Sequence, residues 1–360
     1  MRRLLVLFLV GILASLSFNG VLGEEDQNFP PTNASDDFSY GYTNVLIEYA
    51  DGKTNEILAG YPSNHSEEDG LDAPIVDNLD APLIFFIGDE SESIEQYQWL
   101  QASLAQNGII SFVIQSAFIG EENPSDMLLL ARNAIAFGND TSELGESMFL
   151  DCNFFHWGVG GHGLGAYLAA ESLYNWPNEY ASPPRALFGL GLEMVSQQEH
   201  DISMILPRPS VALFITGTVD EITPADEHVE PYLENWPGGW QVIHAFGANH
   251  IQYQESSTFF EGLVDGDPTM TVEEQRQHAM HRLLPYINLT LRGDDTAWFQ
   301  AFSRENGDVP SSTEAYYDED LNQTRLYRLD EAHLSHSAIG IENSSTVSMN
   351  VTTRAGGIAE

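Results

Sequence analysis

Short apolar runs recur from Pro82 to Phe246, each bounded by turn residues, with stretches of helical spacing between them. The runs Pro82–Ile87, Ile109–Gln115, Phe154–Val159, Ala186–Leu192, Val211–Thr216 and Trp240–Phe246 predict strands buried on both faces. Ile94–Gln106, Met127–Phe137 and Leu164–Tyr174 predict the intervening helices, and Thr271–Arg292 predicts a long amphipathic helix kinked at Pro285. Upstream, Thr43–Tyr49 and Glu56–Tyr61 flank Asp51-Gly52, a hairpin signal. Strands alternating with helices predict the α/β class, with a mainly parallel central sheet covered by helices on both faces.

The pattern fades at both ends, which divides the chain into four parts. Residues 1–23 read as an export signal: Met1-Arg2-Arg3, an apolar run from Leu4 to Leu16, then small residues near Val21-Leu22-Gly23. An uncleaved anchor is the alternative, and either reading places the remainder outside the cytoplasm, extracellular or at the cell surface. Residues 24–40 are an acidic lead-in of disordered type, 41–305 the folded domain, and 306–360 a polar tail or small β extension. There is no internal repeat.

Charge narrows the partner classes. Thirteen basic residues against 54 acidic ones give a formal net charge of −41 in 360 residues, and Lys53 is the sole lysine. Such a surface repels nucleic acid and anionic membranes. It suits a saline setting, where mobile ions screen self-repulsion. The single cysteine, Cys152, excludes an intramolecular disulfide and is expected to be a packing residue. Asn33, Asn64, Asn139, Asn288, Asn322, Asn343 and Asn350 head Asn-x-Ser/Thr sequons, although so short a motif also arises by chance.

Candidate chemistry begins at Gly161-His162-Gly163-Leu164-Gly165, which follows an apolar strand and opens a helix. This is the frame of a Gly-x-Ser-x-Gly nucleophile elbow, with Gly163 where the serine belongs. Further on, the strand ending at Gly217 is followed by Asp220, and the next by Asn249-His250. Elbow, acid and histidine in that order, each beyond a strand end, match a hydrolase triad.

With these residues the chain resembles the α/β-hydrolase superfamily, and most nearly the branch of dienelactone hydrolases, platelet-activating-factor acetylhydrolases and bacterial polyester hydrolases. The resemblance covers roughly Asn44 to Arg292 and implies an α/β-hydrolase fold without a large cap domain. It implies Asp220 as triad acid, His250 as triad base, and the backbone N–H groups of Leu164 and Asp89 as oxyanion donors. The chain departs from the family at Gly163, which carries no hydroxyl, and at Asp89-Glu90, where carboxylates disfavour a developing oxyanion. Losing a serine nucleophile lowers turnover by about a millionfold.

Three functional classes follow. One is a catalytically impaired member of the serine esterase family that binds a small ester, lipid or polymer fragment, or a protein partner, at the former cleft. Another is an active carboxylic-ester hydrolase in which the Asp220–His250 dyad works with water or a displaced nucleophile. The third is a surface structural module. No cofactor and no metal are expected, because the acidic run Asp318-Glu319-Asp320 lacks the spacing of a calcium loop. His162, His156 and His244 are expected to be packing residues.

Overall fold

The structure is a computed structural model that describes most residues from 38 to 294, together with two later strands; the longest stretch outside the description within that range is 196–210. The expected export signal, most of the lead-in and the sequons at Asn33, Asn139, Asn322, Asn343 and Asn350 lie outside the described residues. So do the Asp51-Gly52 turn and Glu319-Asp320.

The strands are β1 (Ser39–Glu48), β2 (Thr54–Ser63), β3 (Leu83–Ile87), β4 (Ile110–Ile114), β5 (Asp140–Ser142) and β6 (Trp157–His162). They continue with β7 (Ala186–Leu190), β8 (Val211–Gly217), β9 (Gly239–Ala245), β10 (Tyr316–Asp318) and β11 (Gln323–Arg328). They form one sheet in the order β10-β11-β9-β8-β7-β6-β3-β4-β2-β1-β5. The six strands from β4 to β9 across its middle run parallel. Antiparallel strands flank them: β2 on β4, and β11 on β9. This is an α/β protein with a mostly parallel central sheet.

Side-chain alternation shows why the middle strands read as unbroken apolar runs. Leu83, Phe85 and Ile87 of β3 join one core cluster, and Ile84 and Phe86 join another. Helices α2 (Pro124–Ala136), α3 (Leu164–Glu171) and α4 (Val229–Glu234) supply Leu128, Ala131, Ala166, Ala169 and Leu233 to the first cluster. Helices α1 (Gln98–Gln106) and α5 (Val272–Ile287) supply Leu100, Leu104, Leu283 and Ile287 to the second. Burial on both faces removes the polar alternation that a half-exposed strand would carry.

Several boundaries differ from the sequence expectation. Ile94–Tyr97 is a 3-10 turn that leads into α1, and Tyr97 there points its hydroxyl toward Asp89. β6 begins at Trp157, so His156 lies in a bend before it and not within a strand. Helix α3 stops at Glu171, short of Tyr174. Thr271 and Glu274 form a capping box at the start of α5. Pro285 sits inside α5, which gives way to a π-helical turn at Asn288–Arg292 and ends at Gly293 in the left-handed region, φ 68°. Among the described residues, no helix is long and apolar enough to cross a membrane.

Candidate functional site

The candidate residues gather just beyond the carboxyl ends of β3, β6, β8 and β9. This is the edge where parallel sheets place ligands. At the end of β6, Gly163 takes φ 52° and ψ −120° as the chain turns into α3. Its neighbours need to be glycine for a different reason. A Cβ at Gly161 would strike the backbone of Gly165, and one at Gly165 would strike the backbone of Ile87 and Gly88. Close approach of α3 to β3 and β6 therefore fixes the outer glycines of the motif.

Beyond β8, Asp220 is buried and its Oδ1 accepts the N–H groups of Ile222 (3.1 Å) and Thr223 (2.7 Å). Its Oδ2 accepts the Thr223 hydroxyl at 2.8 Å and lies 3.2 Å from His250 Nδ1. The Thr223 Oγ1 is also 2.9 Å from that nitrogen. The loop carrying His250 is held by a residue that the sequence did not single out. Asp265 Oδ2 accepts the N–H of His250 (2.8 Å) and of Ile251 (3.0 Å), and its Oδ1 accepts those of Glu221 and Gly266. Asp220 and His250 thus face one another.

The remaining face of His250 is occupied by Asp89. Its Oδ2 lies 2.9 Å from His250 Nε2, and its Oδ1 accepts the N–H of Leu164 at 2.8 Å and of Glu90 at 2.7 Å. A Cβ built at Gly163 would run into this same carboxylate. The Asp89 side chain therefore fills the space that a residue-163 side chain would enter. The backbone of Asp89 is tied as well: its N–H donates to the Tyr97 hydroxyl at 2.8 Å, and its carbonyl accepts the Ser116 hydroxyl at 3.0 Å.

This corrects the expectation for the oxyanion donors. The Leu164 N–H is engaged by the Asp89 carboxylate and the Asp89 N–H by Tyr97, so neither faces an empty site. A carboxylate reaching back into the elbow satisfies the start of α3, where unpaired N–H groups and the helix dipole favour negative charge.

His162 is buried behind His250, with ring centroids 4.3 Å apart and planes tilted by 30°. Its Nδ1 meets the Tyr97 hydroxyl at 3.2 Å, whereas its Nε2 makes no hydrogen bond of ordinary geometry. Packing was the expected role of His162; its place against His250 and Tyr97 makes it part of the site.

Electrostatics follow from this nesting. Burial by itself would lower the His250 pKa, but hydrogen bonds and charge from Asp220 and Asp89 raise it to about 10. Burial works against Asp89 too, yet the hydrogen bond from His250, the nearby histidines and the Leu164 N–H hold its carboxyl well below the usual range. Asp220 is likewise lowered, chiefly through His250 acting against burial. His162 is pushed down to about 3 by burial and by the His250 charge. At neutral pH the centre is an imidazolium between two carboxylates beside a neutral imidazole. A protonated His250 has no lone pair with which to deprotonate a nucleophile.

Glu193 and Glu90 add negative charge nearby. Burial and Asp89 raise the Glu193 carboxyl, and its backbone N–H donates to the Gly163 carbonyl at 3.0 Å. His244 Nε2 is 3.8 Å from Glu230. Cys152 is partly buried against the core. Among the described residues, Asp89, His162 and His250 form a cluster with metal-ligating donors, one atom from each lying within 4.8 Å of the others. Their separation along the chain hid this grouping from the sequence.

Compared with known proteins, the chain matches no family model and no curated protein.

Proposed function

We propose that this chain is an exported α/β-hydrolase-fold protein of the dienelactone-hydrolase-like serine esterase type, with its esterase chemistry disabled and its cleft kept for binding. The strand order β1-β2-β4-β3-β6-β7-β8-β9, with Gly163, Asp220 and His250 following β6, β8 and β9, supports the fold assignment. The observation that carries the functional reading is the Asp89 carboxylate, seated between the elbow and His250 Nε2 at 2.9 Å. It replaces a reactive hydroxyl with a group that ion-pairs the base and engages the Leu164 N–H. The bound species is a small ester, a lipid or polymer fragment, or a protein partner. The net charge of −41 disfavours nucleic acid and anionic membranes.

Asp89 also gives the alternative reading its one concrete candidate for a displaced nucleophile. Both its oxygens are held by charged or backbone donors, and a carboxylate of such low basicity is a weak nucleophile. A chromogenic-ester panel separates the two readings. The binding reading expects no turnover above the rate of a His250→Ala variant, together with melting-temperature shifts from unhydrolysed esters or fatty acids. Turnover that disappears in His250→Ala would assign the protein to the working esterases instead.

A further inference from the structure

We infer that Asp89, His162 and His250 form a binding site for one zinc-like divalent cation, independently of whether the cleft binds esters. Three features point there. The first is the donor set: two imidazoles and one carboxylate, with ligand atoms within 4.8 Å of one another. Zn²⁺ takes such nitrogen and oxygen donors at about 2.0–2.2 Å, and three protein ligands leave its fourth position to water.

The second is the way the other atoms of these groups are tied. His250 Nδ1 faces Asp220 at 3.2 Å and Thr223 at 2.9 Å, which leaves Nε2 turned toward Asp89. His162 Nδ1 faces the Tyr97 hydroxyl at 3.2 Å. Asp89 Oδ1 accepts two backbone N–H groups, so Oδ2 faces His250 Nε2, and a cation entering between them displaces the His250 proton. Metal-ligating histidines are oriented in this way by a carboxylate or another oxygen at the second ring nitrogen, and ligating carboxylates by hydrogen bonds to the second oxygen.

The third is His162 itself. It is 0% exposed, and beyond a ring contact with the His250 backbone its Nε2 has no hydrogen-bond partner. A buried polar atom left in that state calls for a compensating group. When Nδ1–H donates to the Tyr97 oxygen, Nε2 presents a lone pair suited to a cation. Bringing the donors onto one ion requires a turn of the His162 ring, and the histidine χ2 torsion is soft. The Asp89 side chain is 13% exposed and gives the ion its way in.

The test is titration of the chelator-treated full chain with Zn²⁺ and with Co²⁺, in enough salt to screen the acidic surface. The expected result is one ion per chain and visible Co²⁺ bands of four-coordinate intensity. His162→Gln and Asp89→Asn should each weaken binding by at least about tenfold, whereas His244→Gln should not. An absence of one-to-one binding would overturn the site, and so would binding indifferent to His162→Gln. Should the His162 variant fail to fold, X-ray absorption of the zinc-loaded wild type decides. Two imidazoles in the coordination shell support the site, and fewer than two refute it.

Discussion

Asp89 Oδ2 sits 2.9 Å from His250 Nε2, and the same carboxylate blocks the space above Gly163. Gly163 and Asp89 are therefore coupled: the absence of a side chain at 163 leaves the room that the Asp89 carboxylate fills.

Adding a side chain at 163 alone should accordingly harm the protein. Gly163→Ser should lower stability by about 1–3 kcal/mol, through the clash with Asp89 and the left-handed φ of 52°. Thermal melting checks this. A variant as stable as wild type would show that Asp89 yields easily.

Removing the Asp89 charge should release His250. In Asp89→Asn the imidazolium keeps Asp220 but loses its second carboxylate, so its pKa should fall from about 10. Histidine titration followed by NMR measures the change. An unchanged pKa would mean that Asp220 alone sets it.

Stability in chelator should depend on pH with a definite sign. The folded pKa of His250 lies above its ordinary 6.5, at about 10. Its contribution is complete below pH 6.5 and fades as pH rises toward 10. Asp89 and Asp220 are lowered from 3.8, so their contributions hold above that value and fade as pH falls below it. Urea midpoints should therefore decline between about pH 6.5 and 10, and His250→Gln should flatten that decline. A wild-type profile flat across the interval would contradict the doubly paired imidazolium.

Asp265 should prove as important to the site as residues nearer its centre. Its carboxylate gathers four backbone N–H groups, including those of His250 and Ile251. Asp265→Ala should cost about 3 kcal/mol or more, because buried donors lose a charged acceptor. Denaturant unfolding checks this; a loss below about 1 kcal/mol would show that water replaces it.

The surface charge gives a simpler expectation. With a net charge of −41, the melting temperature should rise with salt as repulsion is screened. A flat salt dependence would count against a saline setting.

The layered sheet was legible in the sequence because the middle strands read as short apolar runs separated by stretches of helical spacing. Gly163, Asp220 and His250 were legible because strand ends and chain order place them on one edge. The role of Asp89 was half legible: its negative charge beside the elbow could be read, but its side-chain path into the elbow depends on Tyr97 and Ser116 anchoring its backbone. Asp265 gave no signal, since its partners are backbone groups that any sequence would offer. Thr223 was within reach, because an acid followed three residues later by threonine suits a side-chain cap of a turn. His162 stacks on His250 through a contact 88 residues distant in sequence, and no local pattern reports such pairs.

Chromogenic-ester turnover in a Gly163→Ser/Asp89→Gly double variant tests most directly the proposal that Asp89 occupies the place of a nucleophile. The expected result is turnover in the double variant that Gly163→Ser alone does not show and that His250→Ala removes. A folded double variant without turnover, or a Gly163→Ser single variant as active as the double, would contradict it.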